Sequence, residues 1–252
     1  LDRKIRVGAV SYLNTKPLIY GLEKGMLQDE ITLEMDFPAN IAGKLLDDSI
    51  DIGLVPVAII PRLRQHHFVA DYGICCDGPV ASVCLFSEVP VEAITEVLLD
   101  YQSRTSVRLA RILMKEFWKI DPVITDTRDD FRERITSTTA GVVIGDRALE
   151  QRSRSRYVYD LGEAWKLMTG LPFVFAGWIS NKPISSDFIA SFNAANEYGL
   201  NRLEEVITQH PYPAYDLHKY YTEDIIYKLD AEKMKGLELY LDYLQRFGFQ
   251  VK

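Results

Sequence analysis

A two-lobed α/β fold with a ligand cleft between the lobes is what this sequence predicts, and three observations predict it. The chain up to Pro56 alternates strand-like and helix-like patterns in the order β-α-β-α-β, the signature of a parallel sheet. A second run of the same kind extends from Glu96 to Ile179, and from Ser185 onward the pattern is almost wholly helical.

The first strand is the β-branched run Ile5–Val10, which ends in small residues before the turn Ser11-Tyr12-Leu13-Asn14-Thr15-Lys16-Pro17. Leu18 to Glu23 then places apolar residues at helical spacing. Residues 31–37 alternate like a strand, Pro38-Ala39-Asn40 caps a helix carrying Ile41, Leu45 and Leu46 on one face, and residues 49–56 read as a buried strand running into a turn at Pro56. Phe68–Ile74 and Val80–Phe86 are further strands around the turn 76–79, and His66 and His67 fall in a polar loop.

The second unit reads as a strand at 96–99, a helix at 103–119, a strand at 122–125, a short helix at 131–135, a strand at 141–144, a helix starting at Asp146, a helix at 160–168 and a return strand at 173–179. In the tail, one helix is expected from Asp187 to Thr208 and another from Asp230 to Phe247, with Leu237, Tyr240, Leu241 and Leu244 as a core-facing stripe. This assigns residues 1–87 plus 178–252 to lobe 1 and residues 88–177 to an inserted lobe 2, with crossovers near Glu88 and Phe175. Closure of two such lobes on a ligand excludes water from whatever lies between them.

A net charge of −7, with acids and bases interspersed, disfavours nucleic acid as a partner, because phosphate binding needs a concentrated cationic face. A few donors in a cleft still suffice for a small anion. Cys75, Cys76 and Cys84 show no metal spacing and read as reduced structural thiols of a cytoplasmic protein; His66, His67, His210 and His218 form no metal-ligand pattern. No membrane span or secretory signal is legible, and a segment ahead of Leu1 is left open.

Four stretches carry candidate chemistry. In an open α/β sheet ligands bind at the carboxyl ends of the strands, where the 11–17 turn places Ser11, Tyr12, Asn14 and Lys16. The same turn also suits ordinary capping, with Asn14 or Thr15 as N-cap and Pro17 in the first helical turn. At Ser103-Arg104-Thr105-Ser106 a helix begins with three hydroxyls in four residues, more than one cap requires, and helix N-termini hold carboxylates or phosphates. Ser82 lies among apolar neighbours, where a buried hydroxyl serves either a ligand or the backbone. At Ile144-Gly145-Asp146 the glycine admits close ligand approach, and Asp146 is either cap or site residue. Phosphate-loop, dinucleotide, serine-hydrolase and zinc motifs are all missing from the sequence. A site of neutral donors orients an anion better than it attacks one.

Together, Gly8–Leu18, Gly53–Ala58, Gly78–Val83, Ser103–Ser106 and Ile144–Leu149 resemble the chorismate dehydratase family, which opens the futalosine route to menaquinone. The motifs match in order from the first strand to the return strand; the helical tail carries none as specific. The resemblance implies a type II periplasmic-binding-protein fold and a cytoplasmic lyase without metal or organic cofactor, converting chorismate to 3-[(1-carboxyvinyl)oxy]benzoate. It implies that Asn14 is the key catalytic residue and that Ser82, Thr105 and Ser106 contact substrate. Ser11, Ser103, Gly145 and Asp146 complete the candidate site. The expected assembly is a monomer or weak homodimer without nucleic-acid or membrane partners. Two other readings stay open: a solute-binding protein for a small carboxylate, and a related lyase of the same pathway acting on a purine-bearing substrate. The proton acceptor also stays open, between a substrate carboxylate and Asp146 if it points inward.

Overall fold

A computed structural model of the chain describes residues 3–249. Two sheets organise it. The six-stranded sheet has the order β11-β4-β10-β3-β1-β2 and the five-stranded sheet the order β7-β6-β8-β5-β9. In the first, β1 (Ile5–Val10) lies parallel to both β2 (Ile31–Asp36) and β3 (Ile52–Pro56), joined by α1 (Lys16–Glu23) and α2 (Pro38–Leu46), as the β-α-β-α-β pattern requires. β3 is buried along its whole length, which is why it reads as a continuous apolar run rather than an alternating one.

The lobe boundaries differ from the expected ones. After β4 (His67–Cys76), the next strand β5 (Val83–Ser87) pairs antiparallel with β8 (Thr139–Ile144) and β9 (Tyr157–Asp160), so it belongs to the second sheet. The chain therefore crosses at 77–82, not near Glu88. The two strands expected around the turn 76–79 do not pair with each other; the neighbours of β4 are β10 (Phe173–Ser180) and β11 (Ile226–Lys228). The return likewise comes earlier than Phe175, at 170–172, where Gly170 (φ 75°) ends a helix in the left-handed conformation and all of β10 joins the first sheet.

Within the second lobe, β6 (Glu96–Leu99) lies parallel to β7 (Val123–Asp126) and β8, with α3 (Thr105–Glu116) between β6 and β7 in the chain. α4 (Asp146–Gln151) follows β8, and α5 (Leu161–Thr169) follows β9. The helix expected at 131–135 is a single 3₁₀ turn, Arg132–Arg134. His67 opens β4 instead of lying in a loop.

The tail holds two helices where one was expected: α6 (Ser186–Leu200) and α7 (Leu203–Gln209). The chain leaves helical geometry at Arg202 (φ −134°, ψ 39°), and the bend buries Val206 completely. α8 (Leu217–Lys219) leads into a π-type turn at Tyr220–Asp224, and α9 (Ala231–Arg246) buries Leu237, Tyr240 and Leu244 as its stripe predicts. α9 touches both α3 and β10, so the tail braces both lobes. No described helix is long and apolar enough to cross a membrane. The three cysteines are unpaired and buried, and burial pushes each thiol up from its ordinary value.

Candidate active site

A partly open cavity between the two sheets, with about 560 Å³ of empty space that is in part continuous with solvent, collects residues from both lobes and from the crossover. Its lining includes Asn14, Ser82, Ser103, Thr105, Ser106 and Gly145, with Tyr12, Pro56, Ile144 and Phe175 among the rest, and none of the lining side chains carries a charge. Of the residues singled out in the sequence, Ser11 and Asp146 are outside that lining.

The β1–α1 turn presents Asn14. The chain passes from β1 through a 3₁₀ turn at Leu13–Thr15, and Thr15 takes the cap position of α1 without bonding its side chain to a free amide. Its hydroxyl donates instead to Asn14 Oδ1 (3.3 Å). Neither residue is a cap in the usual sense, and the Asn14 side chain lines the cavity. Ser11 is exposed, its backbone N–H donating to Asp36 O (3.2 Å), so it belongs to the sheet end rather than the cavity.

The crossover presents Ser82. Asp160 holds this segment: its carboxylate accepts the Val80 N–H (3.1 Å) and Ala81 N–H (2.8 Å) while capping α5 through the amides of Gly162 and Glu163. Burial pushes the Asp160 carboxyl up from its ordinary value, and those backbone donors oppose the shift. Ala81 sits at φ 61°, a conformation residues with a Cβ seldom adopt, and the Asp160 clamp keeps it there. The Ser82 hydroxyl accepts a hydrogen bond from Tyr220 Oη (2.7 Å).

The start of α3 presents three hydroxyls that do three different things. Ser103 Oγ accepts the Ser106 N–H (3.0 Å), satisfying one free amide of the first turn. Thr105 Oγ1 accepts the Ala58 N–H (3.2 Å) from the first lobe, while its carbonyl accepts from Tyr240 Oη (3.0 Å) on α9. The Ser106 hydroxyl has no hydrogen-bond partner among the described residues and lines the cavity. One hydroxyl caps, one ties the lobes together and one is left for a ligand.

Further ties hold the lobes closed. Tyr12 Oη donates to Gln102 Oε1, and Arg147 Nη2 meets the same Oε1 at 3.0 Å while pairing with both Asp100 carboxylate oxygens (2.9 and 2.8 Å). The Tyr12 ring lies against Gly145 (φ 65°), where an added Cβ would come within 3.1 Å of it. Asp146 Oδ1 accepts the Leu13 N–H (3.0 Å), bracing the Asn14 turn from the second lobe. Burial raises the Asp146 carboxyl to about 6, with the Leu13 N–H opposing.

Tyr220 and Phe175 were not singled out as site residues by the sequence. The buried Phe175 lies at the crossover side of β10, where the only signal was its place in an apolar strand. Tyr12 lines the cavity, whereas Tyr20 and Trp178 are core residues.

A family model described as menaquinone biosynthesis matches residues 5–246. A chorismate dehydratase of Campylobacter jejuni is 27% identical over 240 residues, covering 90% of this chain and 92% of the relative. One from Thermus thermophilus is 26% identical over 234 residues, covering 82% and 84%. Among solved structures, a protein from Archaeoglobus fulgidus superposes with a TM-score of 0.77 at 13% identity over 98% of both chains. The periplasmic aliphatic sulphonate binding protein of Escherichia coli superposes with 0.66 at 18% identity, covering 100% of this chain and 95% of that one. These likenesses show the two-lobed periplasmic-binding-protein-like fold expected from the sequence.

Proposed function

Since the chain belongs to the menaquinone biosynthesis family, we propose that its cavity dehydrates chorismate to 3-[(1-carboxyvinyl)oxy]benzoate. The observation that carries this reading is the convergence of neutral hydrogen-bonding groups from both lobes, Asn14, Ser82, Thr105 and Ser106, on one cavity. Such groups suit a twice-negative substrate whose reaction needs orientation and charge stabilisation more than a nucleophile.

The chemistry fits the donor set. Removing the C3 proton of chorismate leaves a carbanion conjugated through the ring diene to the ring carboxylate, and departure of the C4 hydroxyl makes the ring aromatic. The two ring substituents are trans, so the C3 hydrogen and the C4 hydroxyl share a face, and a syn elimination needs only one group on that face. The Ser106 hydroxyl and the first turn of α3 would hold one carboxylate, and Asn14 would donate to the C4 hydroxyl or the enolpyruvyl carboxylate. An amide is a poor base. Of the two acceptors open at the outset, Asp146 lies outside the cavity lining with an oxygen engaged by Leu13, which favours a substrate carboxylate as the acceptor.

The test is to incubate the purified protein with chorismate and follow the aromatic product by absorbance and mass. Conversion with loss of one water supports the reading. A folded protein that binds chorismate and returns it unchanged is a solute-binding protein, and the reading fails.

A further inference from the structure

Behind the cavity, buried polar groups line up in one chain of hydrogen bonds that ends at the site. Tyr220 is fully buried, and its hydroxyl donates to Ser82 Oγ at 2.7 Å across 138 positions of sequence. The Asn14 side chain flanks the same phenol. The next residue, Tyr221, donates its hydroxyl to the carbonyl of Leu13 (3.1 Å), immediately before Asn14. Two successive tyrosines thus hold Ser82 and the backbone immediately before Asn14. The π-type turn at Tyr220–Asp224 makes this possible, and such turns are rare and concentrate at functional sites.

The direction of these bonds matters. Having accepted from Tyr220, Ser82 keeps its own proton to give, and its one acceptor among the described residues is the Val80 carbonyl at 3.4 Å, near the limit of a hydrogen bond. Burial holds the Tyr220 hydroxyl well above its ordinary value, so the phenol stays protonated and stays a donor. Donors in series polarise one another, so a bond from Ser82 to an anion in the cavity is strengthened by the phenol behind it.

We propose that Tyr220 is a positioning residue: its buried phenol, bonded to Ser82 and flanked by Asn14, commits the Ser82 hydroxyl to donating toward a carboxylate or departing hydroxyl in the cavity. The catalytic part of this inference rests on the dehydratase reading; the anion-binding part does not.

The experiment is a double-mutant cycle of Tyr220→Phe and Ser82→Ala, read by kcat/KM on chorismate and by the affinity of benzoate in calorimetry. Each single change lowers kcat/KM by about tenfold and weakens benzoate, and the double variant is no worse than Ser82→Ala alone. Losses that multiply would show a general structural role and overturn the proposal, as would a folded Tyr220→Phe protein with wild-type constants. If Tyr220→Phe does not fold, Ser82→Ala decides. Wild-type kcat/KM in that variant overturns the proposal, and a tenfold loss partly regained in Ser82→Thr, which returns a hydroxyl to the phenol, supports it. A wild-type protein that binds benzoate but does not convert chorismate refutes the dehydratase reading alone, and the cycle is then read from the affinities. A wild-type protein that neither binds benzoate nor converts chorismate overturns both.

Discussion

The wall of the cavity formed by α3 and the wall formed by the β1–α1 turn with the crossover carry similar polar groups but are built by different routes. At α3, Ser103, Thr105 and Ser106 sit in one turn, and the bond that shapes it, from the Ser106 N–H to Ser103 Oγ, spans three residues. Asn14 and Ser82 depend on distant chain: Asp160 clamps the backbone beside Ser82, and Tyr220 and Tyr221 reach back from the tail. Only Thr105 in the α3 wall is tied to distant chain, through Ala58 and Tyr240, so the pair Ser103 and Ser106 loses little when a remote residue changes, whereas the other wall fails at several places.

The largest effect that would break this comparison is at Asn14. Asn14→Ala removes the amide donors without touching a cap, because Thr15 and Asn14 do no capping in α1. Turnover should fall by roughly a hundredfold to a thousandfold, the range for losing a donor aimed at developing charge, with thermal stability nearly unchanged. Near-normal turnover in the folded variant would remove Asn14 from the mechanism.

A smaller pair of effects sharpens the difference within the α3 wall. Ser103→Ala loses the bond to the Ser106 N–H and should cost about 1 kcal/mol of stability in chemical denaturation, with kcat/KM almost unchanged. Ser106→Ala should do the reverse, lowering kcat/KM by about tenfold while leaving the denaturation midpoint in place, since its hydroxyl bonds no described residue. If both changes affect stability and activity alike, the division of labour among the three hydroxyls is wrong.

What was legible in the sequence follows the same division. Local signals were enough to place β1, β6 and α9 within a residue or so and to mark Asn14, Ser82, Ser103, Thr105, Ser106 and Gly145 as candidates, all of which the fold brings to one cavity. The crossovers were misplaced because whether Val83–Ser87 pairs with the strand before it or with strands far ahead depends on partners no local pattern names. β9 and β11 are short, with four and three residues, and too brief to show alternation. Tyr220 was invisible for a related reason: a tyrosine between the two helices expected in the tail carries no mark of the serine it will meet.

Asp146 latches the second lobe to the Asn14 wall, and its pH dependence is the finest test of the contrast. From α4 in the second lobe it accepts the Leu13 N–H in the Asn14 turn, and burial raises its carboxyl to about 6 from an ordinary 3.8. Between those values the folded chain holds a proton that the unfolded chain has released. Stability from this group is therefore complete below the lower value and is lost as pH rises through about 6. Asp146→Asn keeps an acceptor for Leu13 and cannot titrate. Its melting temperature relative to wild type should accordingly be higher at about pH 7 than at about pH 4, by on the order of 3 °C. A gap that is constant across this range, or that widens toward acid, would mean that the carboxylate gains more from Leu13 than burial costs it, and that the lobes are latched by charge at neutral pH.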